Sequence, residues 1–381
     1  MSRSGPDASA APNLRGLFSE ELVAWLDTRG VACSPREARS ILARERACRP
    51  DERPKRQTVR RVVRDAVREH VDHTRLTVVE RVEDPADGFV KYLFRSPDGA
   101  LSEAVRIPLE KPDTFTVCLS SQVGCAMACD FCATGRLGLS RNLAAWEMVD
   151  AFTTIRDEAP GRVTGAVFMG QGEPLHNYDA VLRAAAVLSD PCGGRIKAEA
   201  ITISTVGLVP AIRRFAREGH RYRLIVSLTS AVPARRAELM PVTRKYPLPE
   251  LADAVRDVAR ATGGRVTIAW VVMAGVNTGD DEVAALRELF GDVPIRVNLI
   301  DVNDARPDGY RRADAAELGA FRDALTAVGV PTLRRYSGGR ARHAACGMLA
   351  TQRFSSTTDS SPPERSSTSG KPLAQRPSGS G

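Results

Sequence analysis

A long alternation of short apolar runs and amphipathic segments, from Thr114 to about Met348, constrains the fold of this chain most strongly. The apolar runs have the length and composition of strands: TFTVCLS, VTGAVFMG, AITIST, YRLIVSL, RVTIAWVVM, IRVNLI and TLRRY. Helical stretches such as LAAWEMVDAFTTIRDE and YDAVLRAAAVLSD separate them. Apolar strands joined by amphipathic helices are typical of a parallel sheet with helical crossovers. About six such units predict an α/β fold, a partial or full barrel, with its chemistry at the carboxyl ends of the strands.

Segments of different character flank this core. Residues 1–13 and the Ser-, Thr- and Pro-rich tail 351–381 lack the large apolar residues that a core needs, so both are predicted to be disordered. Residues 14–82 predict three helices, in FSEELVAWLDTRG, SPREARSILARER and TVRRVVRDAVREHV. Residues 83–110 alternate β-branched and polar residues around the turns ADG and PDG, which predicts a small antiparallel linker sheet before the barrel core at 111–350.

The helical segment is strongly basic. Ser34 and Pro35 predict the cap and first turn of its second helix. Its cations outnumber its carboxylates from there onward: Arg36, Arg39, Arg44, Arg46, Arg49, Arg53, Lys55, Arg56, Arg60, Arg61, Arg64 and Arg68. Such a surface suits the phosphates of a nucleic acid, and the net charge of +8 for the chain points the same way. A solvated helix face without a ligand is the alternative.

Composition excludes several classes of protein. With 43% hydrophobic and 26% charged residues, the chain of 381 residues has the composition of a globular protein. No apolar run approaches the roughly 20 residues that a membrane span needs. The start, MSRSGPDASAAPNLRG, lacks the apolar stretch of a signal peptide, so we expect a cytoplasmic protein without membrane association. In that compartment, eight cysteines indicate metal ligands or reactive thiols rather than a disulfide framework.

Three of these cysteines, Cys125, Cys129 and Cys132, lie in the short stretch SSQVGCAMACDFCATG with the spacing C-x3-C-x2-C. Three thiolates from one loop can bind an iron–sulfur cluster or contribute to a zinc site. A structural zinc site needs a fourth ligand, and no second cysteine pair is present, because Cys33, Cys48, Cys192 and Cys346 are isolated from one another. A four-iron cluster with three protein ligands has one iron left for an exchangeable cofactor.

This spacing, with Phe131 before the third cysteine, resembles the radical S-adenosylmethionine (SAM) superfamily. A second motif, VFMGQGEPLHN, is similar to the segment that meets the amino group of SAM in that superfamily. The series CLSSQVGCAMACDFCATG, RNL, ISTVGLVP, VSL, MPVTRKY, NLIDVN and AACGML, over about Glu103 to Leu349, resembles the RlmN/Cfr family of radical SAM RNA methyltransferases. The resemblance implies a partial (β/α) barrel with an N-terminal helical RNA-binding domain, acting on 23S rRNA and possibly tRNA.

The resemblance also implies roles for individual residues. Cys346 would carry a methyl group as S-methylcysteine, and Cys118 would resolve the protein–RNA adduct through a transient disulfide with it. Glu103 would accept the proton from the adenine ring. Cys125, Cys129 and Cys132 would bind a [4Fe-4S] cluster, and each turnover would use two SAM molecules. The implied partners are the RNA and an electron donor such as flavodoxin or ferredoxin, with the enzyme as a monomer.

The positions that match the SAM-binding residues of the family are Gly172, Glu173, Ser204, Ser227, Leu228, Thr229 and Asn303. The chain departs from the family pattern at Thr229, where His is usual, and at Gln171, where Met is usual. The run RRYSGGRARHAACGML also lacks the usual acidic Asp-Ile pair.

Pro174 in GEPL favours the branch of the family that methylates carbon 2 of adenine. The carbon-8 branch, which confers ribosomal antibiotic resistance, resembles GEAL at this place and is the first alternative. A non-catalytic RNA-binding relative is the second.

Overall fold

The computed structural model describes residues 11–46, 59–304, 306–335 and 338–350. The predicted tail 351–381, residues 1–10 and four of the cations, Arg49, Arg53, Lys55 and Arg56, lie outside these ranges. Residues 11–13, which were expected to be disordered, are held by hydrogen bonds to the end of the helical unit. The Asn13 side chain donates to Asp72 Oδ2 at 3.0 Å and accepts from Arg15 N at 3.0 Å.

Three helices form the N-terminal unit: α1 (Ser19–Asp27), α2 (Pro35–Arg46) and α3 (Arg61–His70). They surround a small apolar core of their own, in which Leu22, Leu26 and Leu42 are fully buried. Ser34 and Glu37 form a reciprocal cap at the start of α2. The Glu37 amide donates to Ser34 Oγ at 3.3 Å, and the Ser34 amide donates to Glu37 Oε2 at 3.0 Å.

Arg46 is an exception to the predicted basic surface. Its side chain is buried, and it donates to the carbonyl oxygens of Leu14 and Cys192 at 3.2 and 3.3 Å and to that of Leu17. Burial lowers the pKa of its guanidinium to about 10. Arg46 therefore ties α2 to a loop of the barrel and cannot contact phosphate. The cations that are exposed in the described part of this unit are Arg36, Arg39, Arg44, Arg60, Arg61 and Arg68.

A ten-stranded sheet forms the rest of the fold. Its order is β1 (Thr77–Glu83), β2 (Val90–Arg95), β3 (Leu101–Pro108), β4 (Thr114–Leu119), β7 (Arg162–Phe168), β8 (Ile201–Thr205), β9 (Arg223–Ser227), β10 (Val266–Val272), β11 (Ile295–Asp301) and β12 (Thr332–Arg335). The pairs from β4 to β12 are parallel, and β4 and β12 stand apart in the order, so these strands form a partial barrel. The strands β4 and β7–β12 coincide with the seven apolar runs, which confirms the predicted α/β barrel.

The antiparallel strands β1–β3 do not form a separate linker sheet. β3 pairs with β4 along Val105–Pro108, so the three strands extend the barrel sheet from its first edge. This pairing covers the β4 backbone that would otherwise be an open sheet edge. A further hairpin, β5 (Gln122–Cys125) and β6 (Gly138–Asn142), lies beyond the carboxyl end of β4.

Helices cover the outer face of the barrel: α5 (Ala145–Glu158), α6 (Tyr178–Ser189), α7 (Val209–Glu218), α8 (Pro233–Leu239), α9 (Leu248–Thr262), α10 (Asp280–Phe290) and α11 (Ala315–Ala327). The short helix α4 (Ala133–Arg136) instead lies between β5 and β6. The core between helices and sheet includes Phe152, Phe168 and Trp270, all fully buried. Complete burial of such a side chain contributes about 1.5–3 kcal/mol. Among the helices in the described ranges, none is both long and apolar enough to cross a bilayer.

Candidate active site

The cysteine loop begins at the end of β5 and ends at the start of α4. The Cys132 amide donates to the Cys129 carbonyl at 3.1 Å, which closes a tight turn between these two residues. Gly135 packs under this turn, where a Cβ would lie 2.9 Å from Cys129 O. Cys125 and Cys129 are buried and Cys132 is partly exposed, so all three thiols face a shielded volume at the carboxyl end of the barrel.

The three thiols are electrostatic neighbours. Burial raises the pKa of Cys125 to about 12, and the charge of Cys132 contributes to the same shift. Within the described ranges, no three His, Cys, Asp or Glu side chains converge on the position of a single metal ion. A zinc ion would need its sulfur ligands at about 2.3 Å from one point. A four-iron cluster takes one thiolate per iron, so three neighbouring thiols can bind three of its irons.

A cavity of about 170 Å³ opens beside the cysteine loop. Its lining includes most of the residues that the sequence assigned to the site: Cys125, Cys129, Cys132, Gly172, Glu173, Ser204, Ser227, Thr229, Asn303 and Cys346. They come from the carboxyl ends of β8 and β9, from the segments that follow β4, β7, β9 and β11, and from the C-terminal segment. The ends of parallel strands meet at one edge of the sheet, which brings together residues that are far apart in sequence.

The C-terminal segment docks on the cysteine loop. The Ala133 amide donates to Gly347 O at 2.8 Å, and Thr134 Oγ1 donates to Leu349 O at 2.6 Å. From the barrel side, Asn303 Nδ2 donates to Cys346 O at 3.3 Å. These bonds hold the exposed thiol of Cys346 at the edge of the cavity.

Cys118 lies beneath this segment on β4 and is fully enclosed. It packs in one apolar cluster with Ala344, two residues before Cys346. Burial raises the pKa of the Cys118 thiol to about 12; the nearby charge of Cys346 raises it further, while Arg335 opposes the shift. Both thiols are free. The site therefore contains one accessible thiol and a second, buried thiol close to it.

Comparisons with known proteins agree with this geometry. Residues 119–289 match the profile of the radical SAM superfamily. A probable RNA methyltransferase of Anaeromyxobacter sp. is 56% identical over 272 residues, which are 71% of this chain and 80% of the relative. A probable dual-specificity RNA methyltransferase RlmN of Synechococcus sp. is 42% identical over 74% of this chain and 81% of its own length. The crystal structure of a radical SAM methyltransferase from Sphaerobacter thermophilus superposes with a TM-score of 0.81 at 37% identity, covering 90% of this chain and all of that one.

The chain belongs to the RlmN/Cfr family of radical SAM RNA methyltransferases. Membership of the RlmN/Cfr family implies SAM and a [4Fe-4S] cluster as cofactors.

Glu173 is buried in the cavity wall, where Oε1 accepts from Leu175 N at 2.9 Å and Oε2 from Val206 N at 2.8 Å. Burial raises the pKa of this carboxyl to about 7. The two amides fix its orientation toward the cavity, where an ammonium group would compensate the cost of burying its charge.

Two further polar atoms in the wall of the cavity are buried and lack a hydrogen-bond partner among the described residues. They are Thr229 Oγ1 and Asn298 Oδ1. Buried polar atoms are rarely left unpaired unless a ligand or water satisfies them. Thr229 also has a left-handed backbone, with φ of +61°. Asn298 was not predicted as a site residue, because an Asn within an apolar strand carries no sequence signal of its own.

Leu228 does not reach the cavity. Its side chain is fully buried in the barrel core, and its amide donates to Ala269 O at 2.9 Å in the sheet. The predicted SAM contact at Leu228 stays a prediction, and any such contact would involve the backbone rather than this side chain. Arg236, which the sequence analysis missed, supports this region instead. Its guanidinium is buried and donates to the carbonyl oxygens of Leu228, Ser227 and Val206 at 3.1, 3.2 and 2.7 Å.

Glu103 lies on β3 and outside the cavity lining. Its carboxyl group is fully buried, and Lys91 Nζ on β2 is 2.9 Å from its Oε1. Gln171 Nε2 is 3.4 Å from its Oε2. Ser120 Oγ donates to the Glu103 carbonyl at 2.5 Å, which attaches this part of β3 to the end of β4. The residue is therefore held in a polar, enclosed position next to the loops that form the cavity.

Proposed function

We propose that this enzyme methylates carbon 2 of an adenine in 23S rRNA, and possibly in tRNA, through an S-methylcysteine at Cys346. The observation that carries the proposal is the juxtaposition of three features. An exposed thiol lies at the edge of the cavity, a second thiol lies beneath it, and three neighbouring thiols line the same cavity. Ordinary methyl transfer needs neither Cys118 nor Cys346.

The need for this arrangement follows from the substrate. The carbon between two ring nitrogens of adenine is not nucleophilic, so it cannot attack the methyl group of SAM directly. When bound, the cluster and SAM supply a 5′-deoxyadenosyl radical, which can remove hydrogen from a methyl group. Cys346 holds a methyl group from a first SAM where a second SAM can be cleaved, so a turnover uses two. The carbon on Cys346 then bonds to the adenine ring, and protein and RNA are joined.

Two residues complete the reaction. Glu103 removes the proton from the ring carbon that has gained the substituent, and the unpaired electron of the adduct would pass to the oxidised cluster, so that a closed-shell thioether joins protein and RNA. Cys118 then attacks Sγ of Cys346, so that a sulfur–sulfur bond forms and the sulfur–carbon bond breaks. The electron pair stays with the carbon, which takes a proton and becomes the methyl group of the product. A thiol reductant must restore the two cysteines, and an electron donor such as flavodoxin or ferredoxin must reduce the cluster.

The proposed RNA contact surface is the N-terminal helical unit. The enzyme is proposed to act as a monomer. Its exposed cations, among them Arg36, Arg39, Arg44, Arg61 and Arg68, can neutralise backbone phosphates without reading sequence. Recognition of folded RNA depends on shape and on such distributed contacts.

The decisive experiment is anaerobic incubation of the cluster-loaded protein with methyl-labelled SAM, a reductant and bacterial ribosomal RNA, followed by mass spectrometry of the nucleosides. We expect 2-methyladenosine. Labelled 8-methyladenosine would assign the carbon-8 reaction, and absence of both iron uptake and methylated RNA would indicate a non-catalytic relative.

A matched pair of variants tests the thiol mechanism. Cys346→Ala should cleave SAM without methylating RNA, because it cannot carry the methyl group. Cys118→Ala should accumulate protein covalently joined to RNA, because the adduct cannot be resolved. Methylated RNA from Cys346→Ala would contradict the mechanism.

A further inference from the structure

Gln171 lies at a position where the family usually has Met. It belongs to the turn Gly170–Glu173, which forms part of the SAM cavity. Its side chain is fully buried and extends from this turn to β3. The amide group of Gln171 makes two contacts, and both are to Glu103. Oε1 accepts from the Glu103 amide at 3.2 Å, and Nε2 donates to Glu103 Oε2 at 3.4 Å.

We propose that Gln171 is a positioning residue that holds the Glu103 carboxylate for proton removal. This inference rests on the proposed function, in which Glu103 is the base. Once the Glu103 amide is bonded to Oε1, the planar geometry of the Gln171 side chain turns Nε2 toward the carboxylate. The 3.4 Å bond is long, which is common for catalytic hydrogen bonds before substrate binds.

The two oxygens of the carboxylate have different partners. Lys91 Nζ approaches Oε1 at 2.9 Å from β2, whereas Gln171 approaches Oε2 from the barrel side. One contact alone would let the carboxyl group turn about its last torsion angle, which is soft in Glu. Two contacts from opposite sides fix its plane. A methionine at position 171 has no donor, so it could not make the second contact.

The backbone of Gln171 extends this link to the SAM cavity. Its amide donates to Ser120 Oγ at 2.8 Å, and Ser120 Oγ in turn donates to the Glu103 carbonyl at 2.5 Å. Its carbonyl accepts from the Ser121 amide at 2.8 Å. The residue therefore joins the strand of the base to the turn that includes Gly172 and Glu173. These backbone bonds do not depend on the side chain, so a substitution of Gln171 tests its amide group alone.

The test compares Gln171→Met and Gln171→Leu with wild type, all with the cluster loaded. Gln171→Leu also lacks the donor and adds no charge beside Glu103, so it remains informative if Gln171→Met folds poorly. We expect both variants to cleave SAM and methylate Cys346 at the wild-type rate. The kcat for RNA methylation should fall roughly tenfold or more, with KM for SAM and RNA unchanged. Covalent protein–RNA adduct should accumulate, because proton removal precedes release.

A double-mutant cycle separates positioning from a general structural effect. In a Glu103→Ala background, Gln171→Met should change neither adduct yield nor residual rate, since the group it positions is gone. Independent, multiplicative effects would overturn the proposal, as would loss of SAM cleavage in Gln171→Met or wild-type kcat in both Gln171 variants. If wild-type protein forms no methyladenosine, the proposed function itself fails, and that outcome is distinct from the others.

Discussion

Gly172 lies so close to Gln122 that a Cβ added to it would be 2.6 Å from the Cβ of Gln122 and 2.8 Å from Ser121 Oγ. Its φ is +98°, a conformation that residues with a side chain rarely adopt. The Gln122 side chain also accepts from the Glu173 amide at 2.8 Å. Gln122 therefore contacts both Gly172 and Glu173 and fixes the turn that they form. The turn holds the Glu173 carboxylate in the wall of the cavity that we propose binds SAM.

Gly172→Ala should therefore weaken SAM binding at least tenfold, since a shift of Gln122 or of the turn would move Glu173. Equilibrium dialysis with labelled SAM measures the effect. Gly263→Ala is the matched control. Gly263 also has a left-handed φ, +62°, but no atom lies within 4 Å of its added Cβ. It should lose about 1–2 kcal/mol of stability with unchanged SAM affinity. Equal SAM affinity in the two variants would show that the close contact with Gln122 is unimportant.

We expect the buried Thr229 hydroxyl to contribute to SAM binding but not to the free energy of unfolding. Because Thr229 Oγ1 is buried without a partner among the described residues, Thr229→Val should leave the free energy of unfolding unchanged or raise it by about 1 kcal/mol. The same change should lower SAM affinity several-fold, because it removes a polar contact. Denaturant unfolding and dialysis measure the two effects separately. A variant that is destabilised but binds SAM normally would assign the hydroxyl a structural role.

Much of the fold could be predicted because local pattern decides it. The seven apolar runs of the barrel became strands within a residue or two, and the cysteine spacing identified the loop that lines the cavity. Polar residues whose role depends on partners from distant strands could not be predicted in the same way. Arg46 was assigned to a basic surface but is buried against carbonyl oxygens, and Leu228 was assigned to SAM but packs in the core.

Lys91 illustrates the same limit. It lies in the run FVKYLFR, where a lysine in an alternating strand ordinarily points to solvent. Its side chain is only 5% exposed, because β3 brings the Glu103 carboxylate within 2.9 Å. Register between two strands determines this pair, and register is not visible in either strand alone.

Lys91→Met should destabilise the protein by about 3–5 kcal/mol, because it leaves a buried carboxylate without its cation. The double variant Lys91→Met/Glu103→Gln should recover much of that loss, since the buried charge is then removed as well. Urea unfolding of the wild type and both variants measures the difference. If the double variant is as unstable as Lys91→Met, lost packing of the lysine stem rather than the unpaired charge is the cause.

Glu37 should make the stability of the helical unit depend on pH. Hydrogen bonds from the Arg60 guanidinium, at 2.9 Å to both carboxyl oxygens, hold the pKa of Glu37 well below its usual range, and backbone amides of Arg60 and Ser34 add to the effect. A depressed pKa favours the folded state at every pH above the ordinary Glu value of about 4.3, and this contribution is lost as pH falls below it.

Urea unfolding of wild type and Glu37→Gln at several pH values from 7 to 3, monitored by circular dichroism, measures this contribution. We expect the stability advantage of the wild type to be constant near neutral pH and to shrink progressively as pH falls below about 4. Arg60→Ala should reduce the same pH dependence while leaving the Ser34 cap intact, because it removes the largest cause of the shift. A constant difference between wild type and Glu37→Gln across this range would show that the carboxylate of Glu37 does not contribute through its charge.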